Sequence, residues 1–456
     1  MSELRTGPME VHRWDELDED GRRRLIERPA GMRMFDPELR AGVVAIVEDV
    51  RERGDAAVLD ALEHFDGCKV APDALRVSEE EFEAARHAVS AELLSAIRDA
   101  IDHCKRFNAR VLEGSDWRQE LEPGLTVGEQ SSPIASAGLF VPSGKASYPS
   151  VLVQLGSPAV VAGVPEIAVV VPPVPGSDGR VDRAVLVVAD ELGLRTVLRA
   201  NGPAGVAALA FGTESFPKVR KVVGPGSPPV ACAQVEVQRY GCLTQMVLGP
   251  SESLILADSS ADPYLLAADL LNEAEHGPDS ASVLVTDDAH LVEVTKEHLA
   301  QQLARLPEPR RSYATAALGV NGGAIIVADL HQGIEVANGY APEHMQLVVR
   351  DEEAALSALH HAGEILIGQS TPISAANYVI GVPAALPTGG FARVSSGVTA
   401  HTFMKKTSIA QADQAALARL APTVLALAEH EGFPAHAAAV RARLDTPDRS
   451  TRGDLA

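Results

Sequence analysis

Apolar positions in the first hundred residues recur at helical spacing. Val43, Val44, Ile46, Val47 and Val50 follow Asp36-Pro37, a capping residue ahead of a proline at the first helical position. Ser78-x-x-Glu81 has the capping-box pattern and opens a second long helix. From Ile134 the texture changes to short runs of Val, Ile and Leu separated by Ala-rich helical stretches. These runs, at 137–141, 167–171, 185–188, 196–200 and 221–223, predict strands, and the alternation resumes at 253–257, 282–286, 324–328, 345–349 and 364–367. Apolar strands alternating with helices predict parallel sheets with crossover connections, here in two α/β units. After residue 398 the pattern turns helical again, at 412–430 and 436–444, and ends in a polar tail.

Composition narrows the class. With 456 residues the chain exceeds one ordinary core, and 46% hydrophobic with 22% charged residues is the balance of a folded globular protein. Lys and Arg number 40 against 62 Asp and Glu, a formal charge of −22. Phosphate-backbone binding works against that field, so nucleic acid is not an expected partner. The 4 cysteines form no CxxC pair, and no apolar run approaches the roughly 20 residues of a membrane span. The polar, acidic N-terminus lacks a secretory pattern, so the expected location is the cytoplasm, away from membranes.

Two segments carry candidate chemistry. Asp262-Pro263 to Gly277-Pro278 is punctuated as one helix, with Glu273 and His276 three apart on its last turn. That pair can grip a divalent metal or exchange protons; the alternative is a histidine that merely favours the helix dipole. Tyr340-Ala-Pro-Glu343-His344 places a carboxylate beside an imidazole, after an Asn-Gly turn and before a strand. It reads either as an acid/base pair or as an ordinary surface dipeptide. Gly224-Pro-Gly226-Ser and Gly249-Pro-Ser251-Glu follow strand-like runs and offer backbone N–H groups to an anion, although neither is a GxGxxG fingerprint. His360-His361 is read as the solvated face of a helix.

SAGLFVPSGKASYPS, AALAFGTES, VVGPG, GPSESLILAD, AEHGPDS, YAPEH and ALPTGG, in this order, resemble the histidinol dehydrogenase family over nearly the whole chain. The resemblance implies an α/β fold of two incomplete Rossmann-like domains with parallel sheets, one inserted in the other, plus small helical terminal domains. Its boundaries are an N-terminal helical segment at 1–30, a first Rossmann-like domain at 31–137 and 252–397, a second at 138–251, and a C-terminal helical dimerisation segment at 398–456. It further implies a homodimer with shared active sites, a bound zinc, and NAD as oxidant of a small primary alcohol.

By the same resemblance Glu343 and His344 match the catalytic acid/base pair, and Glu273, His276, Asn377 and His436 match the zinc ligands, the last reaching the other subunit. Two ligands depart from the family, Glu for Gln and Asn for Asp, and the exchange keeps two oxygens, two imidazoles and one negative charge. Ser251 and Glu431 retain substrate positions, whereas Ile373 and Ala384 replace a Glu and a His. Phe140, Ala204 and Ser227 replace a Tyr, a Gln and an Asn near NAD, which leaves NADP open. Each lost polar contact costs on the order of 1 to 3 kcal/mol. The leading expectation is therefore oxidation of an alcohol other than histidinol. The alternatives are a genuine histidinol dehydrogenase and a non-redox metal-binding protein on the same scaffold.

Overall fold

The computed structural model describes residues 9–27, 36–142, 147–245 and 249–445. It divides into a large unit of residues 1–111 and 134–403 and a small unit of 112–133 and 404–456.

The large unit holds two parallel sheets. In one, strands Ser136–Phe140, Glu166–Val171, Val197–Arg199, Lys221–Val223 and Leu243–Thr244 lie side by side in the order 3-2-1-4-5. In the other, Glu252–Ala257, Ala281–Thr286, Gly323–Ile326, His344–Val348 and Glu364–Ile367 repeat that order, and Val11–Arg13 adds a sixth strand beside Gly323–Ile326. This is the doubly wound arrangement, with helices on both faces. Alternation along the central strands sorts the two faces. Ile255, Leu284 and Val348 meet Leu266, Leu270 and Ala274 of helix Pro263–Ala274. Leu254, Leu256, Val285 and Leu347 meet Val336 and Tyr340 of helix Leu330–Tyr340.

The predicted caps are present. The Asp36 carboxylate accepts from the N–H groups of Glu38 and Leu39 ahead of helix Pro37–Arg53, and Ser78 and Glu81 exchange both capping-box bonds. Helix Pro37–Arg53 packs on helices Gly202–Phe211 and Pro228–Val237, which cover the five-stranded sheet, and Val43, Val47 and Val50 share a core with Phe140, Val170 and Ala207. The sequence grouping had placed this region with the 252–397 strands.

Other expectations need correction. Residues 185–188 are not a strand but part of helix Arg183–Glu191, started by Asp182, which accepts from the N–H groups of Ala184 and Val185. Val185 to Ala189 are all buried, so the helix has no polar stripe and reads like a strand. Asn338-Gly339 is no turn; it closes helix Leu330–Tyr340, and the reversal falls on Ala341 at φ +50°. His360 and His361 follow helix Glu352–Ala358 instead of lying in it.

The small unit is not purely helical. Strands Trp117–Glu122, Leu125–Pro133 and Met404–Ala412 form an antiparallel sheet, and helices Gln414–His430 and Pro434–Leu444 pack as a pair. Among its described residues the buried apolar side chains are those of Ala416, Ala421, Ala428 and Ala437.

Candidate active site

The reactive groups gather at the amino ends of the six-stranded sheet. His344 and Glu364 are the first residues of neighbouring parallel strands and lie in register, followed across the sheet by Ser253 and Ser282. The Oγ atoms of Ser253 and Ser282 are 3.1 Å apart. A crossover helix runs antiparallel to its strands, so the last turn of Pro263–Ala274, carrying Glu273, falls at this same rim.

Glu343 precedes its strand and is buried, with Oε2 accepting from the backbone N–H of Glu252 at 3.0 Å. Nε2 of His344 lies 3.8 Å from Glu343 Oε1, and Nδ1 lies 2.5 Å from Glu364 Oε1. Gly363 is required beside them, because a Cβ there would stand 2.5 Å from the Glu343 carbonyl oxygen. Burial pushes the Glu343 carboxyl up to about 8; the imidazole opposes this, while Glu273 and Glu252 add to it. Burial by itself would lower His344, but the carboxylates of Glu343, Glu273 and Glu364 outweigh it and hold the imidazole up at about 10. The surface-dipeptide alternative is thereby removed: the pair is interior and electrostatically coupled.

Glu273 is fully buried, and neither carboxylate oxygen has a hydrogen-bond partner among the described residues. Nδ1 of His276 stands 3.4 Å from Glu273 Oε1 and 3.3 Å from Ser251 Oγ. The turn is tied down from outside, Arg310 donating to the Glu275 carbonyl at 2.9 Å and Asn321 to those of Pro278 and Ser280. A buried carboxylate without donors is costly unless a cation completes it, so Glu273 and His276 fit one half of a divalent-metal shell. Among the described residues no three His, Cys, Asp or Glu side chains form a cage. Asn377, half-buried, follows the short helix Ile373–Ala375, which packs against Pro263–Ala274. His436 and Glu431 belong to the small unit, both exposed.

The substrate and coenzyme positions behave differently. Ile373 is wholly buried beside Leu366 and Ala376, and Ala384 is held through its N–H to Gln154 Oε1 at 3.3 Å. Neither supplies a polar side-chain group. Phe140 ends its strand and Ala204 begins helix Gly202–Phe211, but both side chains lie in the core and are not the side-chain contacts expected for a coenzyme. Ser227 precedes helix Pro228–Val237 without spending its hydroxyl on the cap. Phe140 and Ser227 stand at the carboxyl ends of the first and fourth strands of the five-stranded sheet, the switch point where doubly wound folds take ligands, whereas Ala204 follows the third strand at the sheet's edge. Gly224 follows the fourth strand at φ +150°, and a Cβ on it would sit 2.1 Å from the Phe140 carbonyl oxygen. A separate cleft of about 560 Å³, lined in part by Glu166, Leu194 and Arg195, contains none of the site residues.

Glu364 and Glu252 went unrecognised in the sequence. The available signal was a carboxylate opening an otherwise apolar strand, Glu-Ile-Leu-Ile and Glu-Ser-Leu-Ile, where an inward position favours an apolar residue.

The family model described as histidinol dehydrogenase matches residues 32–444. A protein of Mesorhizobium japonicum named histidinol dehydrogenase homolog 2 is 39% identical over 431 residues, 94% of this chain and 96% of its own. The histidinol dehydrogenase of a Synechocystis species is 40% identical over 400 residues, covering 87% and 91%. The crystal structure of histidinol dehydrogenase from Elizabethkingia anophelis superposes with a TM-score of 0.90 at 32% identity, covering 96% of this chain and 98% of that one.

Proposed function

The chain belongs to the histidinol dehydrogenase family, and from that premise we propose that it oxidises a primary alcohol with NAD, using Glu343 and His344 for proton transfer beside a zinc held by Glu273, His276, Asn377 and a partner copy's equivalent of His436. The supporting observation is the buried couple of Glu343 and His344 next to the donor-less Glu273 carboxylate.

Zinc, when bound, polarises the reacting oxygen, and NAD accepts the hydride. The remaining chemistry falls to the protein. Nε2 of His344 takes the hydroxyl proton, and Glu343 takes a proton from the water that attacks the aldehyde. Ser251, beside His276, is placed to hold the substrate. The reaction runs in a homodimer in the cytoplasm.

The names of the relatives point to L-histidinol, oxidised through the aldehyde to the acid. A second reading, a different primary alcohol, is favoured by the apolar Ile373 and small Ala384, which leave an ammonium and an imidazole without partners. NAD reduction by zinc-loaded protein decides between them. Turnover at micromolar L-histidinol establishes the first; inactivity at millimolar L-histidinol with turnover of another primary alcohol establishes the second. Absence of NAD and NADP binding by calorimetry defeats both.

A further inference from the structure

Glu364 belongs to none of the motifs discussed so far, yet its carboxylate lies closer to His344 than that of Glu343 does. We propose that Glu364 is a positioning residue, gripping the imidazole through Nδ1 so that Nε2 is aimed at the Glu343 side as the proton-accepting atom. The proposal rests on the reading of His344 as the proton-transfer group.

The contact is built into the sheet. His344 and Glu364 are register partners on adjacent parallel strands, so their side chains leave the same face side by side. Both side chains are interior, 4% and 6% exposed. Oε2 of Glu364 has no partner among the described residues, so the imidazole is what this carboxylate is committed to. An N–H at Nδ1, donated to Glu364, leaves the lone pair of a neutral imidazole on Nε2. In the reaction the substrate proton then goes to Nε2, the Nδ1 proton stays where it is, and the imidazolium formed is balanced by carboxylates on both sides.

A purely architectural role explains less. Buried ion pairs seldom stabilise a fold relative to an apolar pair of the same shape, and the strand Glu364–Ile367 continues with Ile, Leu and Ile. With His344 replaced as well, a leucine at its start would suit the sheet at least as well. What the carboxylate adds is a fixed ring orientation and tautomer.

The test uses the full-length protein labelled with ¹⁵N at histidine, with His344→Asn to identify the His344 signals. The expected result is a far-downfield, slowly exchanging Nδ1 proton that moves markedly in Glu364→Gln. Kinetics with whichever alcohol reduces NAD should show kcat lowered roughly tenfold to a hundredfold in Glu364→Gln and Glu364→Leu, with KM within about twofold. The kcat–pH profile should also shift, since Glu343, Glu273 and Glu364 all face this imidazole. Melting temperature should hold in Glu364→Gln, whose amide oxygen can still accept from Nδ1, and fall in Glu364→Leu, which strands the buried imidazole. Unchanged kcat in both variants, or an unmoved Nδ1 signal in Glu364→Gln, overturns the proposal. If the wild type reduces NAD with no alcohol, the functional reading fails while the magnetic-resonance arm still decides the contact.

Discussion

The backbone N–H of Glu252 donates to Glu343 Oε2 at 3.0 Å, tethering the proton couple to the strand that starts beside Ser251. The amide of Glu343→Gln can still accept this bond through its oxygen, so the variant should fold. It cannot take a proton from water. Aldehyde oxidation should fall by about 10² or more, with aldehyde accumulating in rapid-quench experiments, while the first oxidation falls much less. An equal loss in both steps would show that the carboxylate is not specific to hydration.

Glu273 gives a prediction of opposite signs in the two metal states. In chelator-treated protein, Glu273→Leu removes a buried carboxylate that lacks donors and should stabilise the fold by about 1–3 kcal/mol. In the presence of zinc the wild type should gain melting temperature and the variant should not. Calorimetric scans with and without zinc test both halves.

Stability of the metal-free protein should decline as pH rises. Burial pushes Asp269 up to about 6, Glu343 is raised to about 8, and His344 to about 10. For a raised carboxyl the cost is absent below its unfolded value and grows as pH climbs towards the folded one. For the raised histidine the stabilisation is complete below about 6.5 and is lost as pH rises through about 10. The Glu343 and His344 windows overlap from pH 6.5 to about 8, Asp269 having finished near 6, and the histidine alone carries the decline on towards 10. Denaturant titrations should show a downward slope there that flattens in the double variant Glu343→Gln/His344→Asn; an unaltered slope would refute the coupling.

Gly224→Ala should block the coenzyme crevice. Its φ of +150° is open to glycine, and the added methyl would meet the Phe140 carbonyl oxygen. Calorimetry should show NAD affinity at least about tenfold weaker. Zinc content should stay unchanged, because none of the proposed metal residues belongs to the five-stranded sheet or its crossover helices.

Restoring the two missing polar groups separates the substrate readings. Ile373→Glu with Ala384→His should lower KM for L-histidinol by about tenfold per recovered contact if the pocket otherwise suits it. No change would mean that these positions do not face the substrate.

Much of this was visible in the chain itself, and what was hidden has a physical cause. Asp36-Pro37, Ser78-x-x-Glu81 and Asp262-Pro263 announce helix starts because capping chemistry is local. The Glu273–His276 spacing and the Glu343–His344 adjacency were also local patterns, but the residues alone left their roles open and only the family resemblance proposed them. Residues 185–188 misled because five consecutive buried apolar residues mask the helical period, although Asp182 marked the helix start. Asn338-Gly339 misled because two turn-favouring residues were absorbed into a helix end. The Glu364–His344 contact was invisible because it depends on the register of two strands 20 residues apart, which no local pattern encodes. The antiparallel sheet of the small unit was missed because its strands are mostly exposed, Trp117–Glu122 entirely so, and carry little apolar alternation.

The two parallel sheets share one winding order, yet the edges proposed to work are opposite: coenzyme capture at the tail of one set of strands, proton handling at the head of the other. Rewriting the turns at either edge leaves the other sheet's pleats and pairing intact. A lineage built this way can trade one oxidisable molecule for another, or adjust its grip on the electron carrier, by separate mutational steps.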